Sequence, residues 1–398
     1  MVDLSIVIVN WNVKELLERC LTSLAASGLA ACGVPPSVAA KVAPSVAAKV
    51  APSVAAKVPP SVGALEWEII VVDNASTDGS PDMVRQQFPH VRLIASDSNL
   101  GFVKGNNLGV AASTARYILL LNPDTEVCGR YCIPRSLRGG IDPDTEVCAG
   151  IQAMVTYMDE HADVGVLGPK LLFPDGRVQP SRRRFPTLAT AFLESTVLQQ
   201  WFPHHRVLQR YYVQDKSDDE EQDVDWLVGA CLLIRRTTWE QVGPLDENIF
   251  MYSEELDWCH RAKEAGWRVV YVPWATVVHH EGQSSDQAIP ARHIYFQSSK
   301  VYYFRKHHGA VAGEILRWFL LATYAFQLLL EAAKWLVGHK RSLRQERVAA
   351  YIRVLRSGLR ARGEHTLTPT RSPSAAVSCG PSGAVSCGQG KSEQGPEQ

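Results

Sequence analysis

Arg116-Tyr117-Ile118-Leu119-Leu120-Leu121-Asn122-Pro123-Asp124 is the stretch around which the chain is organised. Its apolar run reads as a strand buried on both faces. Proline cannot donate to a sheet ladder, so the strand stops at Asn122-Pro123. Asp124 is left on the loop just past the carboxyl end of a central strand, the edge where open α/β sheets bind ligands. A carboxylate there suits a divalent cation held against phosphate. The same residues also suit a plain turn that ends a strand.

Working outward, Leu4–Val9 reads as a first strand and Lys14–Ala26 as an amphipathic helix, with Leu17, Cys20, Leu21 and Leu24 at helical spacing. Residues 66–73 form a second strand, followed by a helix to about Phe88, a third strand over 91–95 and a helix from about Lys104 to Ser113. Strands alternating with helices predict an α/β fold, a doubly wound and largely parallel sheet. The chain has 398 residues and a net charge of zero, enough for one large α/β domain with appendages and no general case for nucleic acid. No basic leader precedes the first strand, and the nine cysteines are scattered, so a cytoplasmic location with reduced thiols is expected.

Two insertions interrupt the pattern. Pro-Ser-Val-Ala-Ala-Lys-Val recurs with an eight-residue period from Pro36, within residues 34–64. Its prolines break helices and its side chains are too small for a core, so it reads as a surface loop. Pro123-Asp-Thr-Glu-Val-Cys128 returns as Pro143 to Cys148, giving a duplicated insertion over 123–148. Only the first copy joins the buried strand, so the metal role goes to Asp124 and Asp144 is a displaced copy.

Downstream, the basic run Arg182-Arg183-Arg184 and the acidic run 216–225 read as solvated loops, the former also suited to steering an anion. Ser253 reads as the N-cap of a helix that opens with Glu254, Glu255 and Asp257. Residues 291–362 read as a helical extension whose run from Trp318 to Leu330 is shorter than a membrane-spanning helix. It suits either a membrane surface or packing on the catalytic domain. Residues 363–398 are Ser/Pro/Gly-rich and expected to be disordered, which leaves 1–290 as the main domain.

Several polar positions fall at one sheet edge. Asn12 follows the first strand and Asp73 ends the second. Asn99, Gly101, Phe102, Gly105 and Asn106 border a helix N-terminus, a natural anion site. Asn122 and Asp124 end the central strand, Glu254 and Glu255 open a later helix, and His279 ends a later strand. In this order, Ile-Val-Asn-Trp-Asn, Val-Val-Asp-Asn-Ala-Ser-Thr-Asp-Gly-Ser, Asn-Leu-Gly-Phe-Val-Lys-Gly-Asn-Asn and Leu-Leu-Asn-Pro-Asp resemble the inverting glycosyltransferase family 2. Tyr252-Ser-Glu-Glu-Leu-Asp-Trp-Cys-His-Arg and Val-Val-His-His-Glu-Gly are similar to its rhamnosyltransferase-like branch.

The resemblance implies a GT-A fold (Rossmann-like) and a nucleoside-diphosphate sugar donor, with dTDP-rhamnose favoured. It implies a glycan or lipid-linked saccharide as acceptor and Mg²⁺ or Mn²⁺ as cofactor. It places Asp73 against the nucleotide base and Asp124 at the family's Asp-X-Asp, with Asn122 in place of the first acid. Asn12 and the 99–106 residues would serve the donor, and His279 would complete the metal site. Glu255 falls at the catalytic base, where the family usually carries aspartate. Glu254 and Asp257 would face the acceptor, although Asp257 also stands four residues before Arg261, the spacing of a helical ion pair. Another hexosyl- or galactofuranosyltransferase, or an inactive glycan-binding protein, are the alternatives. No Gly-X-Gly-X-X-Gly follows the first strand, which disfavours a dehydrogenase. Deleting residues 36–59 should leave the melting temperature unchanged by calorimetry, because closing a loop costs little more when the loop is long.

Overall fold

The structure is a computed structural model that describes residues 2–27, 65–127, 150–194, 196–281, 289–338 and 341–360. The octapeptide repeat, the second copy with Asp144, and the tail lie outside the described residues. The chain runs β1 (Leu4–Asn10), α1 (Lys14–Ala26), β2 (Trp67–Asp73), α2 (Ser80–Gln87), β3 (Arg92–Ala95), α3 (Gly101–Ala111), β4 (Tyr117–Leu121) and β5 (Thr125–Val127). Then come α4 (Ile151–Glu160), β6 (Val164–Leu172), β7 (Val178–Gln179), β8 (Arg182–Arg183), α5 (Leu188–Leu193), α6 (Val197–Trp201) and α7 (Arg206–Tyr211). The domain closes with β9 (Gln222–Val224), β10 (Trp226–Leu227), β11 (Cys231–Arg235), α8 (Arg236–Val242), α9 (Glu254–Glu264) and β12 (Arg268–His279). The helices α10 (Ile289–His308), α11 (Ala310–Leu336) and α12 (Arg341–Ser357) follow.

Among the described residues the main sheet has the order β3-β2-β1-β4-β11-β6-β12-β5, with β7 beside β6 and β9 beside β12. Strand β1 is buried along its whole length between β2 and β4, both parallel to it, as its unbroken apolar run requires. From β3 to β4 the sheet is parallel, as expected. Beyond β4 it becomes mixed, because β11 runs antiparallel to both β4 and β6. Leu17, Cys20, Leu21 and Leu24 of α1 are buried beneath one face. Burial pushes the Cys20 thiol up to about 12, so it stays protonated.

Strand β12 is continuous from Arg268 to His279, with a register irregularity between Val272 and Thr276. Gly229 and Ala230 separate β10 from β11. Two local readings are corrected. The basic and acidic runs are not simply solvated loops: buried Arg182 bonds the Ser217 carbonyl at 2.7 Å and pairs with Asp218, and Asp219 of the acidic run pairs with buried Lys170 of β6. Burial strips water from these cations, so each needs a carboxylate within reach. Ser253 is left-handed (φ 64°) and makes no side-chain cap.

Asp257 binds α9 to α10. It is fully buried, with Oδ2 accepting from Arg261 Nε at 3.0 Å and Oδ1 facing His307 Nε2 at 2.7 Å and Lys306 Nζ at 2.8 Å. Burial alone would raise its carboxyl, but the bonds from His307 and Lys306 and the Arg261 charge more than offset this and hold it below the usual range. It is therefore a helix clamp and not an acceptor contact; the i+4 pair with Arg261 is the reading that stands. A depressed carboxyl stabilises the fold at pH above its unfolded value and loses that contribution as pH falls through the folded one. Asp257→Asn should cost about 3 kcal/mol at neutral pH, with the gap to the parent in urea melts closing below about pH 4.

Candidate active site

The edge begins where β1 and β2 end in register at Asn10 and Asp73. Asp73 accepts from Asn10 Nδ2 and from the Ser76 amide, both at 2.9 Å. Ser76 Oγ accepts from the Asn12 amide at 3.0 Å, and Asn12 Oδ1 from the Thr77 amide at 2.7 Å. Asn12 (φ 53°) and Ala75 (φ 57°) take left-handed conformations to make this turn. Asp73 and Asn12 thus shape the loop beyond β2. Sequence reasoning passed over Asn10, whose buried Oδ1 has no partner among the described residues.

The expected anion site at the start of α3 is closed. The Phe102 amide donates to the Phe250 carbonyl at 3.1 Å, and the Gly101 amide to Asn99 Oδ1 at 2.9 Å. Gly101 has φ 84°, and a Cβ there would lie 2.6 Å from the Phe250 ring. Gly105 lies against Val9, and buried Asn106 bonds the Phe102 carbonyl at 2.9 Å. Gly101 and Phe102 thus dock Phe250 onto the start of α3, while Asn99, Gly105 and Asn106 serve contacts within and beneath the helix. The helix-end amides that would attract phosphate have a carbonyl already in place.

Asp124 and His279 do converge. β5 lies antiparallel to β12 with Thr125 opposite His279, and the His280 amide donates to the Asp124 carbonyl at 2.9 Å. Both side chains are buried, with His279 Nε2 3.3 Å from Asp124 Oδ1. His279 Nδ1 lies 3.0 Å from Gln179 Oε1, and the Gln179 amide nitrogen donates to Glu281 at 3.1 Å. That bond points Oε1 at the imidazole, so Nδ1 donates to it and Nε2 is the ring atom turned toward the Asp124 carboxylate. Asn122 Oδ1 is also buried without a partner among the described residues. One carboxylate, one imidazole and a nearby amide oxygen fit a divalent cation, with Gln179 fixing the tautomer of the ligating histidine. Gln179 was missed because nothing in its local sequence marks it; β7 brings it beside β6 and β12.

A second group, His260, Glu264 and His307, has metal-binding residue types. It does not fit a metal as it stands: the His260 and His307 rings are stacked face to face at 4.1 Å, and His307 Nε2 faces Asp257.

Glu254 and Glu255 enter after two left-handed residues, Tyr252 (φ 70°) and Ser253 (φ 64°), which turn the start of α9 inward. The Glu255 carboxylate accepts from the Gly229 amide, while its Oε2 and that of Glu254 are buried without partners among the described residues. The pair lines a small pocket with Phe102, Leu120, Gly229 and Trp258. Burial raises both carboxyls, and the Glu255 charge raises Glu254 further. The Asn122 amide donates to the Ala230 carbonyl at 2.9 Å, so the turn that bonds Glu255 is also tied to the exit of β4. The structure therefore brings the strand-end residues 122–124, His279 and Glu255 to one edge.

A model described as Glycosyl transferase family 2 matches residues 46–138. An N-acetylglucosaminyl-diphospho-decaprenol L-rhamnosyltransferase of Mycobacterium tuberculosis is 33% identical over 271 residues, covering 65% of this chain and 81% of that protein. A low-salt glycan biosynthesis hexosyltransferase of Haloferax volcanii is 24% identical over 220 residues, 54% of this chain and 59% of that protein. Among solved structures, a mannosyltransferase of Pyrobaculum calidifontis in complex with GDP-Man and Mn²⁺ is similar at 15% identity and a TM-score of 0.44, covering 88% of this chain and 86% of that one.

A carboxyl raised by burial is neutral over a wider pH range in the fold than in the open chain. It costs stability once pH climbs past its unfolded value. Glu254→Gln should therefore raise the melting temperature at pH 8, with the gain vanishing below about pH 4.

Proposed function

Because the chain belongs to glycosyltransferase family 2, we propose that it moves a sugar from a nucleoside-diphosphate donor to a hydroxyl of a lipid-linked saccharide, with inversion, using Glu255 as base. The observation that carries this reading is the buried Oε2 of Glu255, unpartnered among the described residues, at the edge where β4 delivers Asp124. Rhamnose from dTDP-rhamnose is the favoured donor, from the likeness to the mycobacterial rhamnosyltransferase.

Asp124 and His279 would hold a divalent cation, with Asn122 close by and Gln179 orienting the imidazole. When bound, that cation supplies positive charge to the departing diphosphate. Asp73 and Asn12, at the ends of β2 and β1, frame the nucleotide side. Glu255 takes the proton from the acceptor hydroxyl as its oxygen attacks the anomeric carbon. The Gly229 amide holds one edge of the carboxylate, leaving Oε2 for the incoming hydroxyl. Burial makes this carboxylate more basic than one in water. Direct displacement with a single base inverts the anomeric centre.

Release of nucleoside diphosphate from a panel of nucleotide sugars, with Mg²⁺ or Mn²⁺, tests the reading. Glu255→Gln should lower kcat about 100-fold or more with little change in KM. In the parent, the rate should fall with acid at a pH above the ordinary glutamate range, since the base must be ionised. Asp124→Ala should abolish turnover and Asp144→Ala should leave it unchanged; equal loss in both would contradict the assignment of the first copy.

A further inference from the structure

Helix α11 carries two apolar faces, and the fold covers one. Gly313, Leu316, Arg317, Leu320, Tyr324 and Glu331 are buried. At 3.6 residues per turn they fall within an arc of about 100°. Val311, Ile315, Trp318, Phe326, Leu329 and Leu336 are exposed, with Val311 at 75%, Trp318 at 62% and Leu329 at 70%. These six fall within about 80° on the opposite side and run for roughly 38 Å. Isolated exposed apolar residues are ordinary, but a continuous stripe of this length marks a surface that something covers.

We propose that this stripe lies in the plane of an anionic bilayer, at the boundary between headgroups and acyl chains, with α12 as its basic flank. Trp318 lies within the stripe and is largely exposed. An amphipathic ring set among aliphatic side chains suits that boundary. Helix α12, which packs on α11, carries five arginines against one glutamate, and Arg341, Arg347, Arg353 and Arg356 are exposed. A basic flank is drawn to anionic headgroups over about a Debye length.

The helix is long and apolar enough to cross a membrane. Its covered face argues for lying flat. Phe319 packs on Phe192 at 4.5 Å, and the Tyr324 hydroxyl meets His293 Nδ1 at 3.1 Å. Arg317 bonds the Gly358 carbonyl at 3.1 Å, and Glu331 pairs with Arg344. Crossing would break these contacts and carry Arg317 and Glu331 into hydrocarbon.

The surface is fixed relative to the carboxylates. Tyr295 of α10 stacks on Phe250 at 4.6 Å, and Ser299 Oγ donates to the Met251 carbonyl at 2.9 Å. The helix before the stripe thus grips the loop that introduces Glu254 and Glu255. That the bilayer presents a lipid-linked acceptor to this edge rests on the function proposed above; the membrane contact itself does not.

The test is co-sedimentation of the full chain with vesicles of equimolar phosphatidylglycerol and phosphatidylcholine, or of phosphatidylcholine alone. Binding to the mixed vesicles should be at least about tenfold tighter and should weaken in high salt. The double variant Trp318→Glu/Leu329→Glu should bind about tenfold less, with its melting temperature and donor hydrolysis unchanged. A parent that stays in the supernatant with both vesicles, or a double variant that binds like the parent, overturns the proposal. So does a parent that resists alkaline carbonate, which indicates a spanning helix. A solution dimer dissolved by the double variant, without vesicle binding, assigns the stripe to a second copy and also overturns it. Donor hydrolysis is read in the same samples, so its absence from a chain that binds vesicles counts against the transferase reading alone.

Discussion

The antiparallel seating of β11 against β4, with Cys231 opposite Leu121, is the constraint on which the rest of the site depends. A parallel neighbour would be entered from the far end of the sheet. An antiparallel one brings its entry turn, Gly229-Ala230, to the point where β4 leaves. The Ala230 carbonyl holds the Asn122 amide, and the Gly229 amide holds Glu255. One reversal of strand direction thus joins the end that carries Asp124 to Glu255, the proposed base.

The edge is maintained against electrostatic cost. Two glutamates share a buried pocket, and two non-glycine residues ahead of them take left-handed conformations. Such costs persist only where the surrounding structure over-determines them. Here the fixing contacts are the Phe250 carbonyl on the start of α3, the stacking of Tyr295 on Phe250, and the grip of α10 on α9 through Asp257. The C-terminal helices are therefore part of the active-site scaffold as well as the bearers of the apolar stripe.

Charge is managed in the same way away from the site. Arg182 and Lys170 are buried, yet each finds an aspartate in the 216–225 segment, which crosses more than thirty intervening residues to meet them. A run of like charge reads as solvated until its opposite is brought alongside. Nothing in either run states which partner it will find.

Local order was legible in the sequence. An unbroken apolar run fixes β1 and β4 as strands buried on both sides, and 3.6-residue spacing gives α1 its bounds, because both depend on neighbours in the chain. Asp124, His279 and Glu255 could be named as candidates because each stands at the end of such an element. Tertiary structure alone decided what each could reach. It reversed β11, closed the helix end near Gly101 with a distant carbonyl, and turned Asp257 from a substrate contact into a clamp. It also aimed Gln179 at His279 and chose which side of α11 would be left bare. Periodicity specifies that a helix or strand has faces; which partner meets each face is set by long-range pairing, and that is a property of the assembled sheet.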